Sequence, residues 1–125
     1  MKRSVLESWL LLFYLDFVMS CRGFKAVYAI VRKTGVRPMR TMSPPDSARL
    51  CHAIDLACVF YFKQVMCLQR SAATTLLLRH HGWGAEMVTG AQILPFKSHA
   101  WVEIKGSIVN DKPYMLDIYQ VLERC

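Results

Sequence analysis

Cys67, His99 and Asp111 are the residues of this chain whose types and order could carry out chemistry. A cysteine supplies a nucleophile, a histidine a general base, and an aspartate a group that orients the imidazole. Cys67 lies in Cys67-Leu68-Gln69-Arg70-Ser71, His99 in Ser98-His99-Ala100-Trp101-Val102-Glu103, and Asp111 follows Asn110. Each has an ordinary structural role open to it: a buried core cysteine, a hydrogen-bonded strand histidine, an aspartate at a strand end. The arrangement carries the reading, so the elements that hold it decide its worth.

A helix is expected from about Cys67 to His81, with Ala72, Ala73, Leu76, Leu77 and Leu78 as its buried side. Gly82 is placed to end it in a left-handed cap, and Arg79, His80 and His81 suit the last turn. Cys67 then sits at a helix N-terminus, where unpaired N–H groups and the positive dipole end favour thiolate over thiol. The same N–H groups can donate to an oxyanion on an attacked carbonyl.

After Gly82-Trp83-Gly84, residues Glu86 to Leu94 have strand character, with Gly90 as a bulge. Pro95 to Ser98 reads as a turn. His99 to Ile104 alternates: His99, Trp101 and Glu103 share one face, and Ala100, Val102 and Ile104 the other. Lys105-Gly106-Ser107 is expected to turn the chain into a return strand, Ile108 to Asp111. A three-residue turn places Asp111 opposite Trp101 and diagonal to His99, and a turn shifted back by one residue places it opposite His99. A two-residue turn puts the two on opposite faces and spoils the arrangement. Tyr114 to Ile118 suggests another strand, followed by a short helical end near Leu122. Asp117 is a rival for the orienting carboxylate, and Cys125 is not expected to act as a nucleophile.

Upstream, Pro44-Pro45-Asp46-Ser47 reads as a helix start. Leu50, Ile54, Ala57, Val59 and Phe62 give an apolar face through about Phe62, before a short break at Lys63 to Met66. Asp55 would interrupt that face only by pointing inward, and His52 is assigned no chemistry. Trp9 to Leu15 is an apolar run, broken by Asp16 and resumed by Phe17-Val18-Met19. Glu7, Asp16 and the lack of a small-residue cleavage site argue against a signal peptide, and the run is short for a membrane span. A buried helix is expected there, with an interfacial helix resting on a membrane or partner as the alternative. Phe24 to Val31 should form a further helix, stopped by Lys33-Thr34-Gly35, and Met39 to Pro45 a linker.

At 125 residues the chain amounts to one compact domain, divided into an apolar and basic helical segment, 1–44, and a core, 45–125. Its formal charge of +7 draws it to something acidic: a membrane surface, nucleic acid, or an acidic protein or peptide. Much of the charge lies between residues 21 and 49, where Arg22, Lys25, Arg32, Lys33, Arg37, Arg40 and Arg49 face only Asp46. That stretch reads either as an ordinary solvated face or as a docking face for an acidic partner. The five cysteines, an odd and irregular set, argue against a disulfide framework and for a reducing cytosol. Cys51, His52 and Cys58 make a poor metal site, because the two cysteines lie one heptad apart on a helix and read as core residues. No metal is expected.

A cysteine at a helix N-terminus followed by His and Asp on adjacent strands resembles the transglutaminase-like branch of papain-type cysteine enzymes. Within that branch, Cys67-Leu68-x-x-Ser71, Leu78-Arg79-His80-His81-Gly82 and His99-Ala100-Trp101-Val102-Glu103 resemble the lasso peptide leader peptidases over about residues 45 to 122. The spacings of 32 residues from Cys67 to His99 and 12 from His99 to Asp111 suit that family.

The resemblance implies an α+β fold, a papain/transglutaminase-like cysteine protease core in which N-terminal helices precede a small antiparallel sheet. It implies removal of the leader from a ribosomally made precursor peptide, so that a separate ATP-dependent macrolactam cyclase can close the ring. Cys67 would be the nucleophile, His99 the base and later acid, and Asp111 the group holding the imidazole. The backbone N–H of Cys67 is the best oxyanion donor, with Gln64 a second candidate. Trp83 and Trp101 are candidates to line the peptide groove, a core role for Trp101 being equally open, and Glu103 would support His99 without being catalytic. With no room for a leader-binding domain ahead of residue 45, the chain resembles the split type. A separate winged-helix protein would then present the leader, with no cofactor, no nucleic acid, a cytoplasmic setting, and membrane contact through the N-terminal helix as an option. The competing readings are a transglutaminase-like acyltransferase using the same triad, and a non-catalytic module binding an acidic partner or membrane surface.

Overall fold

The computed structural model describes residues 2–36, 46–93, 96–111 and 115–125. Five helices and a four-stranded antiparallel sheet account for them. The fold is α+β, with four helices preceding the sheet. The linker expected over Met39 to Pro45, and with it the 44/45 boundary, lies outside the described residues.

Helix α1 runs unbroken over Lys2–Arg22, because nothing ahead of Gly23 disfavours helix strongly enough to stop it. Gly23, at φ 80°, then breaks the helix, its N–H donating to the Met19 carbonyl at 3.0 Å. The expectation of a buried helix is half met. Ser8, Leu12, Leu15 and Val18 are buried, while Leu6, Leu10, Phe13, Tyr14 and Phe17 are exposed. Nor does Asp16 interrupt it: the Asp16 carboxylate accepts from the Tyr61 hydroxyl at 3.1 Å and pairs with Lys63 at 2.8 Å. The continuous helix is therefore long and apolar enough to cross a membrane by length and composition, which the shorter run of the sequence did not suggest.

Helix α2, Phe24–Lys33, buries Val27 and Val31 and ends where both the N–H and the hydroxyl of Thr34 donate to the Ile30 carbonyl. Helix α3, Ser47–Val59, opens on Asp46, whose carboxylate accepts from the Ala48 N–H at 3.3 Å. Leu50, Ile54 and Ala57 face the core as expected. The apolar face does not extend to Phe62, because the helix ends at Val59 and leaves Val59, Phe60 and Phe62 exposed.

Helix α4, Cys67–His80, is the centre of the molecule. Every residue from Ser71 to Arg79 is buried, between the other long helices and the sheet. Its two buried threonines are satisfied locally: the Thr74 and Thr75 hydroxyls donate to the carbonyls of Arg70 and Ser71. Gly82, at φ 92°, ends it as expected, the Trp83 N–H reaching the Leu78 carbonyl at 2.9 Å and the Gly82 N–H that of Arg79 at 3.1 Å. At this end Glu7 approaches both His80 and His81, tying α1 to α4.

The sheet order is β3-β2-β1-β4, from β1 (Ala85–Gln92), β2 (Lys97–Ile104), β3 (Ser107–Ile108) and β4 (Gln120–Arg124). Ala85, Met87, Ala100 and Val102 pack on the helical core. Val88 and Trp101 face the other way, forming a second small core with Met115. The irregularity expected at Gly90 lies across from it: Thr89 pairs with Glu123 and Gly90 with Val121, so the extra residue is Leu122 of β4, while β1 pairs regularly with β2 through Gly90.

Two expectations fail here. The described part of the expected strand, Met115–Ile118, is instead a single helical turn, α5, and the strand follows it. The sequence Gln120-Val121-Leu122-Glu123-Arg124 has good helix formers, and pairing with the open edge of β1 overrides them. The second failure is the hairpin. Ile104 pairs with Ser107, leaving the two-residue turn Lys105-Gly106, at φ 52° and 80°, both positive as a type I′ turn requires. That is the register expected to separate His99 from Asp111.

Candidate active site

His99 and Asp111 meet nonetheless. The His99 Nε2 and an Asp111 carboxylate oxygen are 2.5 Å apart. The reason is that β3 stops after two residues. Continued, the register would set Asp111 opposite Ala100, with its side chain on the wrong face. Instead Val109 makes one last ladder bond, its N–H donating to the Val102 carbonyl at 2.9 Å, and residues 109–111 bend away. The Val102 N–H, which a longer strand would have satisfied through the Val109 carbonyl, donates to the Asn110 side-chain oxygen at 2.8 Å. Free of the ladder, Asp111 turns back to the imidazole. Asp117, the rival, lies exposed on α5.

An ionised carboxylate only accepts, so Nε2 is the donor in this contact, which leaves Nδ1 as the ring nitrogen available for other chemistry. The ring is held on its faces too. Tyr119 stacks on it with centroids 5.4 Å apart, and Trp101 lies at 6.2 Å. Trp101 is fixed in turn by its Nε1–H, which donates to Glu103 at 2.9 Å; Arg124 donates to the other Glu103 oxygen at 2.7 Å. Glu103 is 2% exposed, so both oxygens need these partners. Its expected supporting role thus runs through Trp101.

Cys67 is exposed at the first position of α4. The residue before it, Met66, makes no side-chain cap hydrogen bond, so among the described residues no N-cap side chain takes the first N–H groups of the helix. Cys67 and His99 line one cleft of about 650 Å³. Its walls are Phe24 and Tyr28 of α2, Met66 and Leu68, Ser98 and Ala100 of β2, Thr89 and Gly90 of β1, and Leu122 and Glu123 of β4. The thiol and the imidazole are not hydrogen-bonded to each other here; such contacts commonly close when substrate binds. Gly90, the cross-strand partner of His99, has no room for a side chain: a Cβ would lie 2.9 Å from both Trp101 Cη2 and Tyr119 Cβ.

The remaining sequence candidates fall elsewhere. Gln64 is exposed in the irregular segment before α4 and lines a separate hollow beside Asp55 and Arg70. Trp101 is wholly buried in the small core, and Trp83 packs against the main core, so neither lines the cleft. The basic stretch is partly engaged: Arg32 pairs with Glu123 at the cleft rim and lies over the Tyr28 ring, while Arg22, Lys25, Lys33 and Arg49 are exposed. Tyr119 and Asn110 were missed. Asn-Asp near a hairpin end was a usable signal for a side chain that ends a ladder; nothing marked Tyr119.

No group of three or more His, Cys, Asp or Glu among the described residues is placed to hold a metal ion. The cysteines differ sharply in availability. Burial, then the nearby Asp55 carboxylate, pushes the Cys51 thiol up to about 11, and burial raises Cys58 too. At pH 8 only ~10⁻³ of Cys51 would be thiolate. Iodoacetamide at that pH is expected to alkylate the exposed Cys21 and Cys67 while Cys51 stays unmodified, as peptide mass mapping will show.

The chain belongs to the transglutaminase-like superfamily, which its residues 11–124 match. Among individual proteins it is similar to the "Microcin J25-processing protein McjB" of Escherichia coli, with 39% identity over 56 residues. That stretch is 45% of this chain and 27% of the other protein. No solved structure matches it significantly.

Proposed function

We propose that this protein is a cysteine endopeptidase that removes the leader from a ribosomally synthesised lasso precursor peptide. The observation that carries this reading is the cleft shared by Cys67, at the start of α4, and His99, bonded through Nε2 to Asp111. The motif resemblance to lasso leader peptidases and the similarity to a microcin J25-processing protein support the choice of substrate.

Nδ1 of His99 takes the Cys67 proton, and the thiolate attacks the carbonyl carbon at the leader–core junction. The oxyanion forms beside the N–H groups that start α4, that of Cys67 first. The imidazolium, steadied by Asp111, returns its proton to the leaving amine; the core peptide departs and the leader remains as a thioester on Cys67. Water, deprotonated by Nδ1, then attacks the thioester carbonyl; the C–S bond breaks, the imidazolium returns its proton to the Cys67 sulfur, and the leader leaves as a carboxylic acid. We propose that a separate leader-binding protein presents the substrate and that a macrolactam cyclase receives the product, as the motif resemblance suggests.

Mass spectrometry of a candidate precursor incubated with this protein and its leader-binding partner tests the reading. Cleavage at one bond by wild type and none by Cys67→Ala is expected. Cleavage by both would move the nucleophile elsewhere, and a product joined to an added amine would indicate acyl transfer instead.

A further inference from the structure

The edge of β2 nearest the site is completed by side chains where a third strand would be expected, and they come from two places. Past the end of β3, the Val102 N–H is taken by the Asn110 side-chain oxygen at 2.8 Å. The next edge group, the Ala100 carbonyl, accepts from the Ser71 hydroxyl of α4 at 2.9 Å. These two side chains also meet, the Asn110 amide donating to the Ser71 oxygen at 3.4 Å. Arg70, the neighbour of Ser71, reaches the Asn110 carbonyl at 3.5 Å while pairing with Asp55.

We infer that Asn110 and Ser71 are positioning residues for the proposed peptidase site, forming a polar latch that sets Asp111 and His99 against the helix bearing Cys67. Asn110 immediately precedes Asp111, Ser71 lies one helical turn after Cys67, and the carbonyl that Ser71 holds belongs to the residue after His99. One small network therefore touches the neighbours of all three. It also stops the hairpin ladder, without which the two-residue turn would carry Asp111 to the wrong face. A hydrophobic or strand-forming residue at 110 would let the ladder run on.

The inference rests on the proposed site, but its test does not need a substrate. The Nε2–H of His99, shared with Asp111, should give a downfield proton resonance protected from solvent exchange. Asp111, which bonds the ring, Tyr119 and Trp101, which pack on it, and Cys67 and Glu123, which line the same cleft, are unchanged by substitution at 110 or 71. In Asn110→Ala the resonance is expected to vanish while the thermal transition stays cooperative. Asn110→Asp, which keeps the acceptor for Val102 but loses the amide donated to Ser71, should retain it in part. Ser71→Ala, should Asn110→Ala fail to fold, is expected to broaden or abolish it as well. With a cleavable precursor, Asn110→Ala should lower kcat about 10²-fold, the cost of a misplacement near 1 Å, with KM little changed. Retention of both the resonance and kcat in a folded Asn110→Ala protein would overturn the latch. Should wild type cleave no peptide yet show a resonance that Asn110→Ala loses, the peptidase reading fails and the latch stands.

Discussion

Substituting His99 by alanine is expected to lower kcat for precursor cleavage by roughly 10⁴- to 10⁶-fold, the range seen when the base of such a triad is removed. The fold should survive, because the ring is only partly buried and its neighbours Trp101 and Tyr119 are held by contacts of their own. Asp111→Asn makes a sharper test. An amide can donate to Nε2, which would stabilise the tautomer protonated at Nδ1. That ring cannot accept the Cys67 proton, so a loss of about 10⁴-fold is expected although the shape of the site is kept. Steady-state kinetics with melting curves on both variants would check this. Near-normal turnover in Asp111→Asn would mean that the short contact to His99 has no part in catalysis.

The largest effect on stability is expected at Arg79. This guanidinium is buried on the last turn of α4 and donates to four backbone carbonyls: Ala85 at the start of β1, Val31 and Thr34 at the end of α2, and Cys125. It is the staple between the helical layer and both strands of the sheet's far side. Burial pulls its pKa below the ordinary value, partly opposed by Cys125 and Glu86. A buried charge that donates to four carbonyls is costly to remove, since each would lose a hydrogen bond, although that of Cys125 also accepts from the Met87 N–H at 3.2 Å. Arg79→Ala should destabilise the protein by about 4 kcal/mol, a drop of more than ~10 °C in melting temperature. Arg79→Lys keeps the charge without the planar fork and should recover part of that loss. A shift below about 2 °C for Arg79→Ala would show that the carbonyls find other partners.

Much of this architecture was legible in the sequence, for identifiable reasons. Helix α4 announced itself through Ala72 to Leu78 and the Gly82 cap, and the β2 alternation separated His99, Trp101 and Glu103 from Ala100 and Val102. These are local patterns, and the tertiary structure agrees with them. What failed was non-local. The C-terminal strand forms because β1 has an edge to fill, whatever the helical leaning of Gln120 to Arg124. The exposed stripe of α1 could not be told from a buried one, because both of its sides are apolar.

The hairpin is the more instructive miss. Register alone does not decide whether His99 and Asp111 share a face, since the observed two-residue turn is the unfavourable case. Pairing nonetheless stops before Asp111, because Asn110 spends its side chain on the Val102 N–H. Periodicity arguments hold only while the ladder continues. Of the two readings open for Trp101, the core one holds, since it packs beside His99; Trp83 does not line the cleft either, whose walls include Phe24 and Tyr28 from a helix distant in sequence.

The measurement that bears most directly on the central claim is the intact mass of the protein after acid quenching of a reaction with precursor peptide and leader-binding partner. A species heavier by the mass of the leader less one water, mapped to Cys67 and absent from Cys67→Ala, is the predicted result. Wild-type cleavage that proceeds with no such adduct, or with the adduct on another cysteine, would contradict the assignment of Cys67 as the nucleophile.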